Sequence, residues 1–311
     1  MPLLQFRLNG PSHLIQLQPE RAPKTISALV DSLPARIDIH CAKIAGKHIF
    51  WHAPFVAELE GSHDIMTLPA GTFVYWPERQ FLELIYGDLQ AEKAQVNVLG
   101  HLLGEISWLQ TFGRTLIECH GRRIVWADLA ASEEAKALGA HDTPEIPAAL
   151  QFLRDARIAA WAGVPGDVKR LLSKRGDVLP FGPLAMAESE LRKLHELLWR
   201  VHTGKYGLEA SESVRLIEFL LQACVDRVEG FCGMTETGAL LCRAASTMRN
   251  AKDLARPALL ELVLYTGRMA AWLDLHICWN DANECTLAAL SDSQSSGELT
   301  GRIPFVIDGA G

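Results

Sequence analysis

The chain has 311 residues, 49% of them hydrophobic, 22% charged and 7% aromatic, and 30 Lys+Arg against 37 Asp+Glu leave a net charge of −7. The length suggests two domains, and the acidic balance, present in both halves, excludes nucleic acid and anionic membrane surfaces as natural partners. The seven cysteines form no Cys-x-x-Cys, the start of the chain lacks a signal pattern, and Leu259 to Trp279, the longest apolar stretch, is broken by Glu261, Arg268 and Asp274; these features read as a reduced, cytoplasmic protein without a spanning helix.

The first ~120 residues alternate with a period near two, punctuated by Gly and Pro. Leu3 to Leu8 and Leu14 to Leu17 flank the turn signal Asn9-Gly10-Pro11 and read as an opening hairpin. Ile26, Leu29, Val30 and Leu33 then share a helical face, which Pro34 ends. Strands follow at Ala35 to Ile44, Lys47 to Trp51, Gly71 to Trp76, Phe81 to Tyr86 and Ala94 to Leu99. Strands with short turns around one helix predict a small closed or nearly closed barrel over residues 1–120. Residues 121–146, mixing Ala, charges, Gly and Pro, read as a linker. From there the period becomes 3.6, with helices over Pro147–Gly163, Gly166–Arg175, Ala185–Thr203, Ala210–Val228, Thr235–Ala251 and Pro257–Trp279. Residues 147–290 form an all-α bundle and 291–311 a tail, in which Arg302 to Ile307 is the one segment with strand character. The fold class is α+β: an N-terminal barrel followed by a helical bundle.

Several absences narrow the chemistry. There is no Gly-x-Gly-x-x-Gly, no P-loop, no Gly-x-Ser-x-Gly and no His-Glu-x-x-His, so no nucleotide cofactor is expected. His48 and His52 have zinc-like i, i+4 spacing, but on a strand that spacing puts them ~13 Å apart, and no metal is expected either.

Reactive side chains concentrate in residues 40–86. Glu83 is flanked by apolar neighbours; facing inward, it would have a raised pKa suited to a proton shuttle, and facing outward it would be solvated or paired with Arg79. Around it stand Tyr75 and Tyr86 as hydrogen-bond donors, Trp51 as a flat wall, Arg79 and Lys43 as carboxylate anchors, and His40, His48 and His52 as bases. In the bundle, Arg268, Asp274 and His276 read as a partly buried ion pair plus an interface histidine, and the bundle itself as a lid or as the surface of a homodimer.

Two stretches carry a resemblance. Glu20 to Pro34, with Ala-Pro-Lys-Thr, resembles the first helix of cyclophilin-like barrels, and Leu68 to Pro77 with Leu84-Ile-Tyr-Gly87 resembles their later strands. The prolyl-isomerase site is not matched, since no His-Arg-Val-Ile strand or Gln-Gly-Gly-Asp run occurs. A barrel of this kind followed by a helical bundle is similar in layout to the cucumopine (mikimopine) synthases, most specifically in His40 to Gly46 and Tyr75 to Gly87. The resemblance implies condensation of L-histidine with 2-oxoglutarate and ring closure of Pictet–Spengler type, without a redox cofactor. For that chemistry we assign Glu83 as shuttle, Tyr75 or His52 as its partner, Arg79 and Lys43 to substrate carboxylates, Trp51 to the imidazole, and His40 and Tyr86 to substrate binding. Another amine and keto acid in the same pocket, or a non-catalytic binding protein, are the alternatives.

Overall fold

The computed structural model describes residues 1–8, 10–90, 93–140, 145–173 and 182–295. The opening hairpin is β1 (Leu3–Arg7) and β2 (Ser12–Leu17). Pro23 sits in the first turn of α1 (Pro23–Asp31), where its missing N–H removes no helical hydrogen bond. There follow β3 (Ala35–Cys41), β4 (Gly46–His52), the two-residue β5 (His63–Asp64), β6 (Thr72–Trp76), β7 (Phe81–Leu89) and β8 (Gln95–Leu102). Helix α2 (Ser107–Cys119) and strand β9 (Val125–Ala131) come next. Both are corrections to the sequence reading, which has no helix between Pro34 and residue 120 and places 125–131 in a linker. After α3 (Glu133–Lys136), the predicted helices appear as α4 (Gln151–Ala162), α5 (Gly166–Ser173), α6 (Gly182–His202), α7 (Ala210–Val228), α8 (Thr235–Asn250) and α9 (Ala255–Asp274). The last helix, α10 (Trp279–Ser295), enters what was expected to be a tail, and Arg302 to Ile307 lie outside the described residues. Residues 1–277 form one compact unit and 278–311 a second.

All ladders are antiparallel, in the order β2-β1-β9-β3-β4-β7-β6-β8, and β8 pairs back with β2 to close the barrel, with β5 added beside β8. Gly100 permits the closure: a Cβ there would lie 2.0 Å from the carbonyl oxygen of Gln16 on β2. The interior is packed with Leu4, Phe6, Ile15, Trp51, Phe73, Tyr75 and Leu84, each no more than 1% exposed. Burying a side chain of this size contributes about 1.5–3 kcal/mol, so the barrel's own core supplies its stability. The outer face of β3, β4 and β7 is also buried, because α6 and α9 lie across it, as their contacts with Asp38, His40 and His52 show. Strand β7 is therefore covered on both sides from Phe81 to Tyr86. No helix among the described residues is long and apolar enough to cross a membrane.

Candidate active site

Alternation along the strands sorts the predicted site residues onto two faces. Trp51, Tyr75 and Tyr86 belong to the barrel core. Tyr75 is fully buried; its hydroxyl accepts from the Ala57 N–H at 3.2 Å and is 3.4 Å from the Phe55 carbonyl, and burial pushes its pKa up. Tyr86 is likewise raised by burial. Neither is placed to exchange protons with a ligand outside the core. Glu83, His40, His48 and His52 project from the opposite face, into the layer between barrel and helices. The expected hollow inside the sheet, with Glu83 pointing into it, is thus replaced by a filled barrel whose ionisable groups line its helix-covered outer surface.

That surface carries an array of acid and base groups. Glu83 is 0% exposed and lies 3.4 Å from His48 Nε2. His52 stands diagonal to Glu83 on the same face, since Phe50 faces Glu83 and His52 faces Phe81 across the β4–β7 ladder. Phe50 and Phe81 stack at 4.3 Å between them. From α6 come Glu188, Arg192, His195 and Glu196, spaced i, i+4, i+7 and i+8 along one helix face. Arg192 donates to His52 Nε2 at 2.8 Å and to Glu188 at 3.1 Å. From α9 comes Asp274, which accepts from Lys43 at 2.7 Å and from His40 Nδ1 at 2.8 Å.

Burial dominates the electrostatics. Burial lowers the pKa of His48 to about 4 and that of His195 to about 3, and the positive charges of Lys43 and Arg192 respectively add to this. Burial, then Arg192 and His195, hold His52 well below the usual imidazole range. Burial also lowers His40, against the pull of Asp274. For Asp274 burial pushes upward, but Lys43 and the hydrogen bond from His40 outweigh it and keep the carboxyl well below the ordinary range. At neutral pH these imidazoles are uncharged, able to donate from one nitrogen and accept at the other. His40 Nε2, His48 Nδ1 and His195 Nε2 are buried without a hydrogen-bond partner among the described residues. Leaving such groups unsatisfied costs about 1–3 kcal/mol each.

A cavity of about 280 Å³ adjoins the His52 end of the array. Its origin is a split in the barrel wall. Strands β3 and β4 share only the pairs His40–Phe50 and Cys41–Ile49, while Ala35 to Ile39 pair with β9 and Phe50 to His52 with β7. The seam between them exposes core residues Trp51, Leu82 and Leu129 to the cavity, and Trp126, Trp161 and Trp272 line it too. Its charged lining is Arg36, Asp38 and Arg268, of which Asp38 and Arg268 form a buried ion pair at 2.7 Å. The volume sits at the lower end of the range for small-molecule pockets.

Of the predicted residues, then, Trp51 and His52 line the cavity, while Glu83 and His40 stand along the adjoining array. Lys43 and Arg79, expected to anchor substrate carboxylates, already hold internal ones: Lys43 pairs with Asp274, and Arg79 with Glu196 at 3.2 Å while stacking on Trp76. Glu83 pairs with His48 rather than Arg79. Arg268 and Asp274 do not pair with each other; each ties α9 to the barrel instead. The residues missed were Glu188, Arg192 and His195, legible as a polar stripe at helical spacing, and Arg36 and Asp38, which alternate with Ile37 and Ile39 just before His40.

Gly267 of α9 holds the array together. A Cβ there would lie 2.8 Å from His195 Nδ1 and 3.2 Å from His52 Cε1. Gly267→Ala gains about 1 kcal/mol of helix propensity but overpacks the site, at a cost of about 1–3 kcal/mol. We expect a lower melting temperature and displaced imidazole NMR resonances for His52 and His195; an unshifted spectrum would show that the contact is not tight.

No family model and no curated protein matches the chain. Among solved structures, McbB in complex with tryptophan superposes with a TM-score of 0.73 at 16% identity, over 90% of this chain and 99% of that one. The solution structure of the hypothetical protein AF2241 from Archaeoglobus fulgidus aligns with a TM-score of 0.33 at 20% identity, over 42% of this chain and 95% of that one, too loosely to bear on function. The McbB overlap spans both barrel and helices, so the α+β architecture, a cyclophilin-like barrel followed by helices, is a fold the two chains share.

Proposed function

We propose that the chain is a cofactor-independent condensing and cyclising enzyme of Pictet–Spengler type, joining L-histidine to 2-oxoglutarate to give a cucumopine-like product. The observation that carries this reading is the aromatic seam cavity opening beside a buried row of neutral imidazoles and carboxylates. The McbB structure, with this fold, holds tryptophan, an α-amino acid with a heteroaromatic ring like that of histidine, and the sequence resemblance to cucumopine synthases supports the same chemistry.

The reaction needs no electron acceptor. The free amine adds to the keto carbon and one water leaves, giving an imine that takes a proton from a neighbouring acid to become the iminium; the imidazole carbon attacks it, and loss of the ring proton restores aromaticity and returns the proton. The dry layer serves the amine by disfavouring its protonated form. His52, with Nε2 accepting from Arg192, carries its proton on Nδ1 and serves as a neutral donor to the carbonyl or carbinol oxygen. Glu83, beside His48, serves as the carboxyl group that moves protons at the ring-closing and rearomatising steps. Fixing both substrates in attack geometry contributes about 7–11 kcal/mol in favourable cases, so positioning outweighs any single proton transfer.

Incubating the purified protein with L-histidine and 2-oxoglutarate, without nicotinamide, should yield the cyclised adduct, identified by mass spectrometry, well above the spontaneous rate. A panel replacing histidine by tryptophan, and 2-oxoglutarate by pyruvate or an aldehyde, separates this pair from other amine–carbonyl pairs. Spontaneous rates throughout would refute the enzymatic reading and leave a binding protein.

A further inference from the structure

The side chains of the seam cavity offer donors and almost no acceptors. Trp161 lines it, and its buried indole N–H has no acceptor among the described residues, whereas Trp272 donates its own to the Ala160 carbonyl at 2.8 Å. The Nδ1–H of His52 makes no hydrogen bond with a described residue, its Nε2 being taken by Arg192. Arg36 stands exposed at the rim with its guanidinium 4.9 Å above the Trp126 ring. Asp128 faces it across the β3–β9 ladder, yet Arg36 forms no ion pair with any described carboxylate. The one carboxylate in the lining, Asp38, has both oxygens engaged by Arg268, at 2.9 and 2.7 Å. The Ser32 hydroxyl already donates to the Leu29 carbonyl.

A cavity with flat aromatic walls, an uncommitted guanidinium and unsatisfied N–H groups fits a planar anion rich in acceptors and poor in donors. An ammonium group finds no free carboxylate there. We infer that the seam cavity is the subsite for a 2-oxo acid, with Arg36 on its carboxylate and the Trp161 and His52 N–H groups on its remaining oxygens. The choice of a 2-oxo acid among planar carboxylates rests on the condensation proposed above; the amino acid then belongs to the array beyond His52, where Glu188 and Glu83 supply carboxylates. Arg36 is a positioning and specificity residue, since it acts on the ligand's anchor and not on the reacting carbon.

The test is binding in the absence of a second substrate. Tryptophan fluorescence and titration calorimetry with 2-oxoglutarate alone should show saturable binding. Arg36→Gln should weaken it about tenfold or more, and Trp161→Phe, which keeps a ring but loses the N–H, about threefold. L-Histidine binding should be unchanged in both variants, and in turnover Arg36→Gln should raise KM for the oxo acid while leaving kcat near wild type. Equal 2-oxoglutarate affinity in wild type and both variants, or none in wild type, overturns the inference. If the oxo acid binds through Arg36 but no amine yields product, the subsite stands and the condensation falls. Product formation with an unaltered KM in Arg36→Gln does the reverse.

Discussion

Acidification from pH 7 to pH 4 is expected to unfold this protein cooperatively, with a midpoint above the carboxylate range. His48, His120 and His195 are held neutral in the fold, with pKa values lowered to about 4, 3 and 3, mainly by burial. In the unfolded chain each titrates near 6.5, so below that pH the unfolded state binds protons that the folded state refuses, and stability falls with pH. Each group costs about 1.4 kcal/mol per pH unit between its two pKa values, so the three together remove about 4 kcal/mol per unit over roughly pH 6 to 4. His40 and His52, lowered in the same direction, steepen the loss. Glu188, raised by burial, acts oppositely and offsets part of it, while the stabilisation from Asp274, whose pKa is depressed, is lost only below about pH 4. Against a typical total of about 5–15 kcal/mol, this slope is enough to unfold the chain. Far-UV circular dichroism across a pH series, with proton uptake from potentiometry, measures it. A protein still folded at pH 3.5, or unfolding with uptake of fewer than two protons, would contradict the buried neutral array.

Glu83→Gln is expected to lower turnover by about 10²–10⁴-fold, the usual contribution of a positioned proton-transfer group, with the fold intact. The amide fills the volume of the carboxyl, and replacing an ionisable group that is 0% exposed beside a neutral histidine relieves desolvation. The melting temperature should stay level or rise while product formation collapses, a combination that a structural carboxylate does not produce. Tyr75→Phe makes the contrast: among the described residues its hydroxyl hydrogen-bonds with the backbone of Ala57 and Phe55, so its loss should cost about 1 kcal/mol of stability and leave kcat unchanged. Wild-type turnover by Glu83→Gln, or collapse in Tyr75→Phe, would move the chemistry off the outer face.

The elements missed from the sequence had left their marks in it. Within β9, Val125, Ala127 and Leu129 face the core and Trp126 and Asp128 face away, a period of two hidden in a segment whose charges and alanines suggested a linker. In α2 the buried residues Leu109, Gly113 and Leu116 keep helical spacing, and Gly113 is required because a Cβ there would strike the Tyr86 ring at 2.4 Å. A glycine that reads as a helix breaker is the contact that lets the helix dock.

The amino-acid order alone determined the strand and helix periods, the switch from barrel to helices, the lack of phosphate-binding loops and the crowding of ionisable groups between residues 40 and 86. Tertiary structure decided which face of those strands carries the ionisable groups beneath the helices. Alternation distinguishes two faces but not inside from outside, and here both are buried, one by the barrel core and one by α6 and α9, so hydrophobicity could not separate them. It also decided which charges are paired: Lys43 and Arg79 find their partners in Asp274 and Glu196, about 120 to 230 residues away along the chain, whereas Arg36 finds no carboxylate among the described residues. Ion pairing across such separations depends on how the helices lie over the barrel, and that is a property of the packed chain as a whole.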